Sequence, residues 1–189
     1  MITKLLCICL LLLGHQTFAQ VTGTKSIPLD YPNLAAALTD LNAVGVSGNV
    51  TINVPANHTE TAPAGGFMLG STILNSSLTA TSTLTIQRSG TGANPLLTAP
   101  VGTSTTADGI FFLAGTDYVT IDGIDLAESA ANTTTTTQAT WGYALVKLQN
   151  TLPYDGCHFV TIRNCTIDMG LTVTTSTAIQ VGNHIATAT

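Results

Sequence analysis

Four short phrases share one alternation of apolar and polar positions: Val50-Thr51-Ile52, Leu84-Thr85-Ile86, Val119-Thr120-Ile121 and Val160-Thr161-Ile162. Their central threonines are 34, 35 and 41 residues apart, a spacing characteristic of stacked-repeat architectures. In a strand, the two flanking side chains of each phrase face one side and the Thr faces the other, which predicts an inward apolar stripe and an outward Thr stripe. A second set of apolar stretches keeps similar time: Ile110-Phe111-Phe112-Leu113, Leu145-Val146-Lys147-Leu148 and Ile179-Gln180-Val181. Intervals of 35 residues from Leu113 to Leu148 and 33 from Leu148 to Val181 give this set its expected register. Two strand columns advancing together predict a coil.

One helix is expected, over roughly 33–44. Leu34, Ala37, Leu38 and Leu41 recur at helical spacing, Asp30 offers a capping carboxylate with Pro32 close behind, and Gly45 supplies a stop. Such a helix suits the open end of a stack, where it covers unpaired strand edges and the first inward rung. Downstream the text reads as strand and turn, including a strand candidate at Thr72-Ile73-Leu74 and two full circuits, Gly109 to Leu126 and Tyr143 to Ile167. The second circuit carries about six extra residues at Asn150 to Asp155.

Composition agrees with strands. Close to one residue in five is Thr, whose stiff branched side chain favours the pleated sheet over the helix. The first nineteen residues read as a signal peptide: Lys4 precedes an apolar run from Leu5 to Leu13, and Thr17-Phe18-Ala19 gives the small-x-small pattern before a cut. That run is too short for a membrane span, which needs about 20 residues, and no other transmembrane segment is expected. Export to the cell surface or medium follows. A net charge of -5 with five basic residues leaves no cationic surface for nucleic acid. Residues 20–189 are expected to form the N-terminal part of a single domain, with further coils beyond Thr189, because Ile179-Gln180-Val181 opens a circuit that the text does not close.

The succession of the Asp30–Gly45 helix, the strand Gly48-Asn49-Val50-Thr51-Ile52-Asn53-Val54 and the turn Asn57-His58-Thr59-Glu60 resembles the N-terminal cap and first coil of right-handed parallel β-helix proteins of the pectin lyase-like superfamily. There a glycine and an aromatic usually stand where Asn57 and His58 stand here, and Glu60 alone keeps its place. Tyr118-Val119-Thr120-Ile121-Asp122-Gly123-Ile124 and Phe159-Val160-Thr161-Ile162-Arg163-Asn164-Cys165-Thr166-Ile167 are similar to that superfamily's generic rungs. The resemblance implies an all-β, right-handed parallel β-helix with an N-terminal capping α-helix. It implies no single activity, since the superfamily spans lyases, hydrolases, esterases, adhesins and silent surface proteins. The Thr-rich, charge-poor style also resembles large secreted bacterial surface proteins.

Registering the two full circuits at an offset of 41 sets Tyr118 beside Phe159, Thr120 beside Thr161 and Asp122 beside Arg163, all pointing outward. Tyr118, Asp122, Phe159 and Arg163 are therefore the candidate glycan-binding residues, because a flat ring beside hydrogen-bonding groups suits a pyranose. The alternative is that the two aromatics seat the Asn150–Asp155 insertion while Asp122 and Arg163 form a surface ion pair. No catalytic residues are assigned: Asp125 falls beside Thr166 and Asp168 beside Ala127, so no carboxylates stack for acid and base work. His58, His158 and His184 share no ligand spacing with the cysteines, so no metal or other cofactor is expected. Cys157 and Cys165 flank a strand of roughly 13 Å, too long for a disulfide whose Cα atoms stand at most about 7 Å apart. Both are expected as thiols, Cys157 in a loop and Cys165 buried in the column of Ile124. The functional expectation is a structural and binding module of adhesin type. The alternative is the N-terminal portion of a polysaccharide-degrading enzyme whose catalytic rungs lie beyond residue 189.

Overall fold

The structure, a computed structural model, describes residues 19–102, 108–170 and 176–185. The expected leader at residues 1–19 falls almost wholly outside the described residues. Strand β1 (Val21–Ser26) leads into helix α1 (Leu34–Val44), after which the chain runs four circuits. The first contains β2 (Val46–Pro55), β3 (Thr59–Thr61) and β4 (Phe67–Leu69), followed by a short helix α2 (Thr72–Ser77). The second contains β5 (Leu84–Ser89), β6 (Leu96–Thr98) and β7 (Gly109–Ala114). The third contains β8 (Val119–Asp122), β9 (Asp125–Ala127) and β10 (Trp141–Lys147), and the fourth β11 (Thr161–Arg163), β12 (Ile167–Asp168) and β13 (Thr177–Ile185).

Every pairing between these strands is parallel, and they form three sheets. Sheet I is β1-β2-β5-β8-β11, sheet II is β3-β6-β9-β12 and sheet III is β4-β7-β10-β13. Each circuit visits I, II and III in that order. The protein is thus mainly β with parallel strands, and its four Val-Thr-Ile phrases fall in register in sheet I. Thr24, Thr51, Thr85, Thr120 and Thr161 form one continuous column across all five strands.

Side chains of the opposite parity build the core. Val50, Leu84 and Val119 form one buried column of sheet I, and Ile52, Ile86 and Ile121 form the next. Sheet II adds Leu97 and Leu126, and sheet III adds Phe67, Phe111 and Tyr143. Those three rings lie 5.9 and 5.6 Å apart in sequence along the column. They also decide the register of sheet III: Phe111 pairs with Tyr143, so Leu113 sits opposite Leu145 rather than Leu148, and Leu145 opposite Val181. The expected set of strands exists, but its register is three residues away from the one that matching leucines suggested. Burial of large rings outweighs leucine identity. Tyr143 keeps its hydroxyl satisfied inside the core by donating to the Ile124 carbonyl at 2.8 Å.

Helix α1 closes the N-terminal end with Leu34, Ala37, Leu38, Leu41 and Val44 buried. Its cap differs from the expected one. Asn33 accepts from the Ala36 amide at 2.8 Å, whereas Asp30 accepts from the Ser26 amide in the preceding turn. Asn33 wins because it stands three residues before Ala36, the spacing at which a side chain reaches an orphan N–H. A second correction concerns residues 72–77, expected as a strand and found as α2. Ser71 accepts from the Leu74 amide at 3.0 Å, and only Leu74 of that segment is buried. Two adjacent apolar residues do not make an alternating stripe, and a serine cap followed by polar residues favours a turn of helix.

Glu60 occupies the sheet II column that continues as Leu97 and Leu126, directly beneath α1. Its carboxylate accepts from the Leu34 amide at 2.8 Å and the Ala35 amide at 2.9 Å, and His58 Nε2 lies 3.0 Å away. This acid thus satisfies two donors that Asn33 leaves unpaired at the positive end of the helix dipole. Glu60→Gln replaces one acceptor oxygen with a donor and is expected to lower stability by about 1.5–3 kcal/mol, the range for hydrogen bonds to a charged group. Chemical denaturation checks this; an unchanged midpoint would show that α1 closes the stack without the carboxylate.

Candidate functional site

The offset of 41 holds in sheet I: Thr161 pairs with Thr120, Ile162 with Ile121 and Arg163 with Asp122. Asp122 and Arg163 therefore stand side by side on neighbouring strands, while Tyr118 and Phe159, which precede those strands, come together as a ring pair. Arg163 donates from Nε to Asp122 Oδ2 at 3.0 Å, and its NH2 lies 2.9 Å from the same oxygen. Asn164 Nδ2 donates to the other oxygen, Oδ1, at 2.7 Å. The Asn164 hydrogen bond holds the Asp122 carboxyl below its ordinary range; burial opposes it, and the Arg163 guanidinium, by hydrogen bond and charge, adds to the lowering.

Tyr118 and Phe159 stack with ring centroids 4.7 Å apart and planes 12° from parallel. That separation matches the spacing of neighbouring strands, so each ring covers one face of the other. Both residues adopt left-handed backbone angles, φ 55° and 53°. For a bulky side chain this conformation costs about 1–2 kcal/mol, and two successive circuits bear it at the same place. A stacked aromatic pair contributes about 0.5–1.5 kcal/mol, which offsets part of that cost. Phe159 remains 71% exposed, so the Asn150–Asp155 insertion does not cover it. The arrangement spends the facing sides of both rings on each other, and Phe159 keeps exposed aromatic surface beside the His158 ring, 6.5 Å away between centroids.

Three neighbours escaped the sequence reading. Asp117 Oδ1 accepts from the His158 backbone amide at 2.6 Å and lies 3.2 Å from His158 Nδ1. The same offset of 41 relates these two residues and was the available signal. Asn164, in the left-handed region at φ 56°, follows Arg163 just as Gly123, at φ 68°, follows Asp122. A cleft of about 280 Å³ lies alongside, lined by Gln87, Arg88, Asn94, Asp122, Gly123 and Asn164. Asn94 Nδ2 braces it by donating to Asp125 Oδ1 and to the Asn164 carbonyl.

Cys157 and Cys165 are both free thiols. Cys165 stands in the Ile124 column as expected but is only half-buried, because it lies in the last described circuit. Cys157 lies between strands yet packs against the core, with Sγ 3.2 Å from the Leu113 carbonyl oxygen, and burial pushes its thiol above the ordinary range. Among the described residues no group of three or more His, Cys, Asp or Glu could hold a metal ion, and no helix is long and apolar enough to cross a membrane. No family model, curated protein or solved structure matches this chain.

The Asp122 shift carries a sign. A carboxyl whose folded value lies below its unfolded one contributes stability that is present above the ordinary Asp range and is lost as pH falls through the folded value. The difference in melting temperature between the native chain and Asp122→Asn should hold steady from neutral pH down to about pH 4 and shrink below it. A difference that persists unchanged at pH 2 would show that the carboxylate's charge contributes nothing.

Proposed function

We propose that the three sheets are the faces of a right-handed parallel β-helix, of the pectin lyase-like kind, in a protein exported to the cell surface or medium. The cyclic I, II, III order of strands supports the coil, and the leader-like text from Met1 to Ala19 supports export. Such a scaffold works here as a structural and binding module that contacts glycan through its outer face. The observation that carries this reading is the exposed aromatic surface of Phe159. Phe159 is exposed, held rigid by its stack on Tyr118, and set two positions from Thr161 and four from the Asp122–Arg163 pair.

A pyranose offers one apolar face and a rim of hydroxyls. Phe159 meets the apolar face, and Arg163 and Asn164 present hydrogen-bonding groups along the same strand. Tyr118 supports the platform from behind rather than touching the ligand. Asp122 keeps Arg163 in place through two short contacts.

Phe159→Ala is expected to weaken glycan binding by about 1–3 kcal/mol, as for an aromatic anchor, with little change in melting temperature. Tyr118→Ala should instead lower the melting temperature and reduce binding less. Glycan-array and thermal-melt measurements on both variants check this. Array signals that survive Phe159→Ala while the melt drops would retire the sugar site and leave the ring pair as a stabilising stack.

A further inference from the structure

Between sheets I and II the chain turns on one left-handed residue, Gly123 in the third circuit and Asn164 in the fourth, at φ 68° and 56°. Gly123 brings no side chain, and it lies in the wall of the polar cleft of about 280 Å³. A Cβ there would come within 3.2 Å of Asn94 Oδ1 and 3.3 Å of Arg88 Cβ, so any other residue would begin to fill the cleft. The walls belong to three successive circuits: Gln87, Arg88 and Asn94 to the second, Asp122 to the third and Asn164 to the fourth. Asn94 Nδ2 donates to the Asn164 carbonyl at 2.9 Å, which ties the second circuit to the fourth past Gly123.

The hydrogen bonds already made decide what the cleft has left to offer. Asn94 Nδ2 uses both its protons, on Asp125 Oδ1 at 2.8 Å and on that carbonyl. Both partners only accept, so the amide has one orientation and Oδ1 is the atom without a partner. Asn164 Nδ2 donates to the Asp122 carboxylate at 2.7 Å and is oriented in the same way. Gln87 Nε2 donates to Asn53 Oδ1 at 3.0 Å. Among the described residues nothing donates to Asn94 Oδ1, Asn164 Oδ1 or Gln87 Oε1. Arg88 NH1 donates to the Gly92 carbonyl at 2.9 Å, and no carboxylate of the described residues stands within ion-pairing distance of this guanidinium. The cleft therefore presents three carboxamide acceptors and one guanidinium donor, each held by bonds made elsewhere, which lowers the cost of ordering them around a ligand.

Three acceptors require a ligand that brings several protons, and a guanidinium requires an oxygen lone pair; adjacent hydroxyls on one ring supply both. An anion would face Asp122 and three oxygens, and a metal ion would face the Arg88 guanidinium. We propose that the cleft seats one neutral hexopyranose unit, its vicinal hydroxyls donating to the carboxamide oxygens of Gln87, Asn94 and Asn164 and one of them accepting from Arg88. The volume is close to the lower limit, about 300 Å³, of small-molecule clefts, which suits a single ring. This inference rests on the glycan reading and adds a second contact to it. Phe159 stands four residues before Arg163, roughly 13 Å along an extended chain, so ring and cleft hold separate parts of a ligand.

The methyl glycosides of glucose, galactose and mannose are the probes, titrated into the isotopically labelled chain beside tetrahydropyran-2-methanol, a ring without vicinal hydroxyls. At least one hexoside is expected to give saturable shifts of the Gly123 backbone amide and of the Asn94 and Asn164 side-chain amides, and tetrahydropyran-2-methanol none. Gln87→Met keeps the length of the side chain, removes its acceptor, and should weaken that hexoside about three- to tenfold. Arg88→Met should do the same, and thermal melts of both variants separate a local loss from unfolding. Absence of saturable shifts with all three hexosides, equal shifts with tetrahydropyran-2-methanol, larger shifts with calcium chloride or sodium sulfate, or undiminished affinity in both folded variants would each overturn the proposal. Glycan-array binding then decides what else falls: if it persists and depends on Phe159, only the cleft assignment is lost, and if it is absent the glycan reading goes with it.

Discussion

The structure depends on one constraint: an apolar side chain must recur at the same inward position each time the chain returns to a sheet. A parallel strand pair cannot be closed by a tight turn, so each return uses a full circuit of more than thirty residues through the other two sheets. The interior columns are what fix the length of that circuit. Ile52, Ile86 and Ile121 stack in sheet I, and Phe67, Phe111 and Tyr143 stack in sheet III, each fully buried. A slip of one residue in any strand would turn its whole apolar set outward. Where the circuit lengthens, as at Asn150–Asp155, the extra residues leave the ladder and the column resumes in register.

Burial along the column is not uniform. At the N-terminal end α1 lies across the interior, and Glu60 replaces an apolar residue in the sheet II column in order to reach the helix amides. In the last described circuit Ile162, Cys165 and Ile167 are only half-buried, and Ile179 is 44% exposed. The outer groups described above gather toward this circuit. Phe159 stacks on Tyr118 there, and β13 carries two extra residues opposite one step of β10. Both are places where the regular ladder gives way to a ring or an irregular backbone that the column does not need.

Much of this was legible in the residues. The Val-Thr-Ile phrases declared sheet I and its register because period-two alternation and a repeated phrase are both local signals. The helix was legible from Leu34, Ala37, Leu38 and Leu41 for the same reason. The register of sheet III was not, since Ile110-Phe111-Phe112-Leu113 is apolar at every position and has no phase of its own; the fit of Phe111 against Tyr143 decides it. The choice of Asn33 over Asp30 as the cap, and of helix over strand at Thr72–Ser77, turned on single hydrogen bonds that spacing alone does not rank. The pairing of Tyr118 with Phe159 and of Asp122 with Arg163 was readable from the offset of 41. That the rings would stack face to face required their backbone angles.

The central claim is the in-register return of sheet I, and cross-linking tests it directly. In a chain whose native cysteines are replaced by serine, Thr85→Cys with Thr120→Cys places two thiols on the outer face of paired positions. Neighbouring strands lie about 4.8 Å apart, within the roughly 4.4–6.8 Å that a disulfide tolerates between Cα atoms. Mild oxidation should join this pair within one chain. Thr85→Cys with Ile121→Cys, one residue further along and facing the core, should remain reduced. Efficient bridging of the second pair, or failure of the first, would contradict the register on which the rest of the account stands.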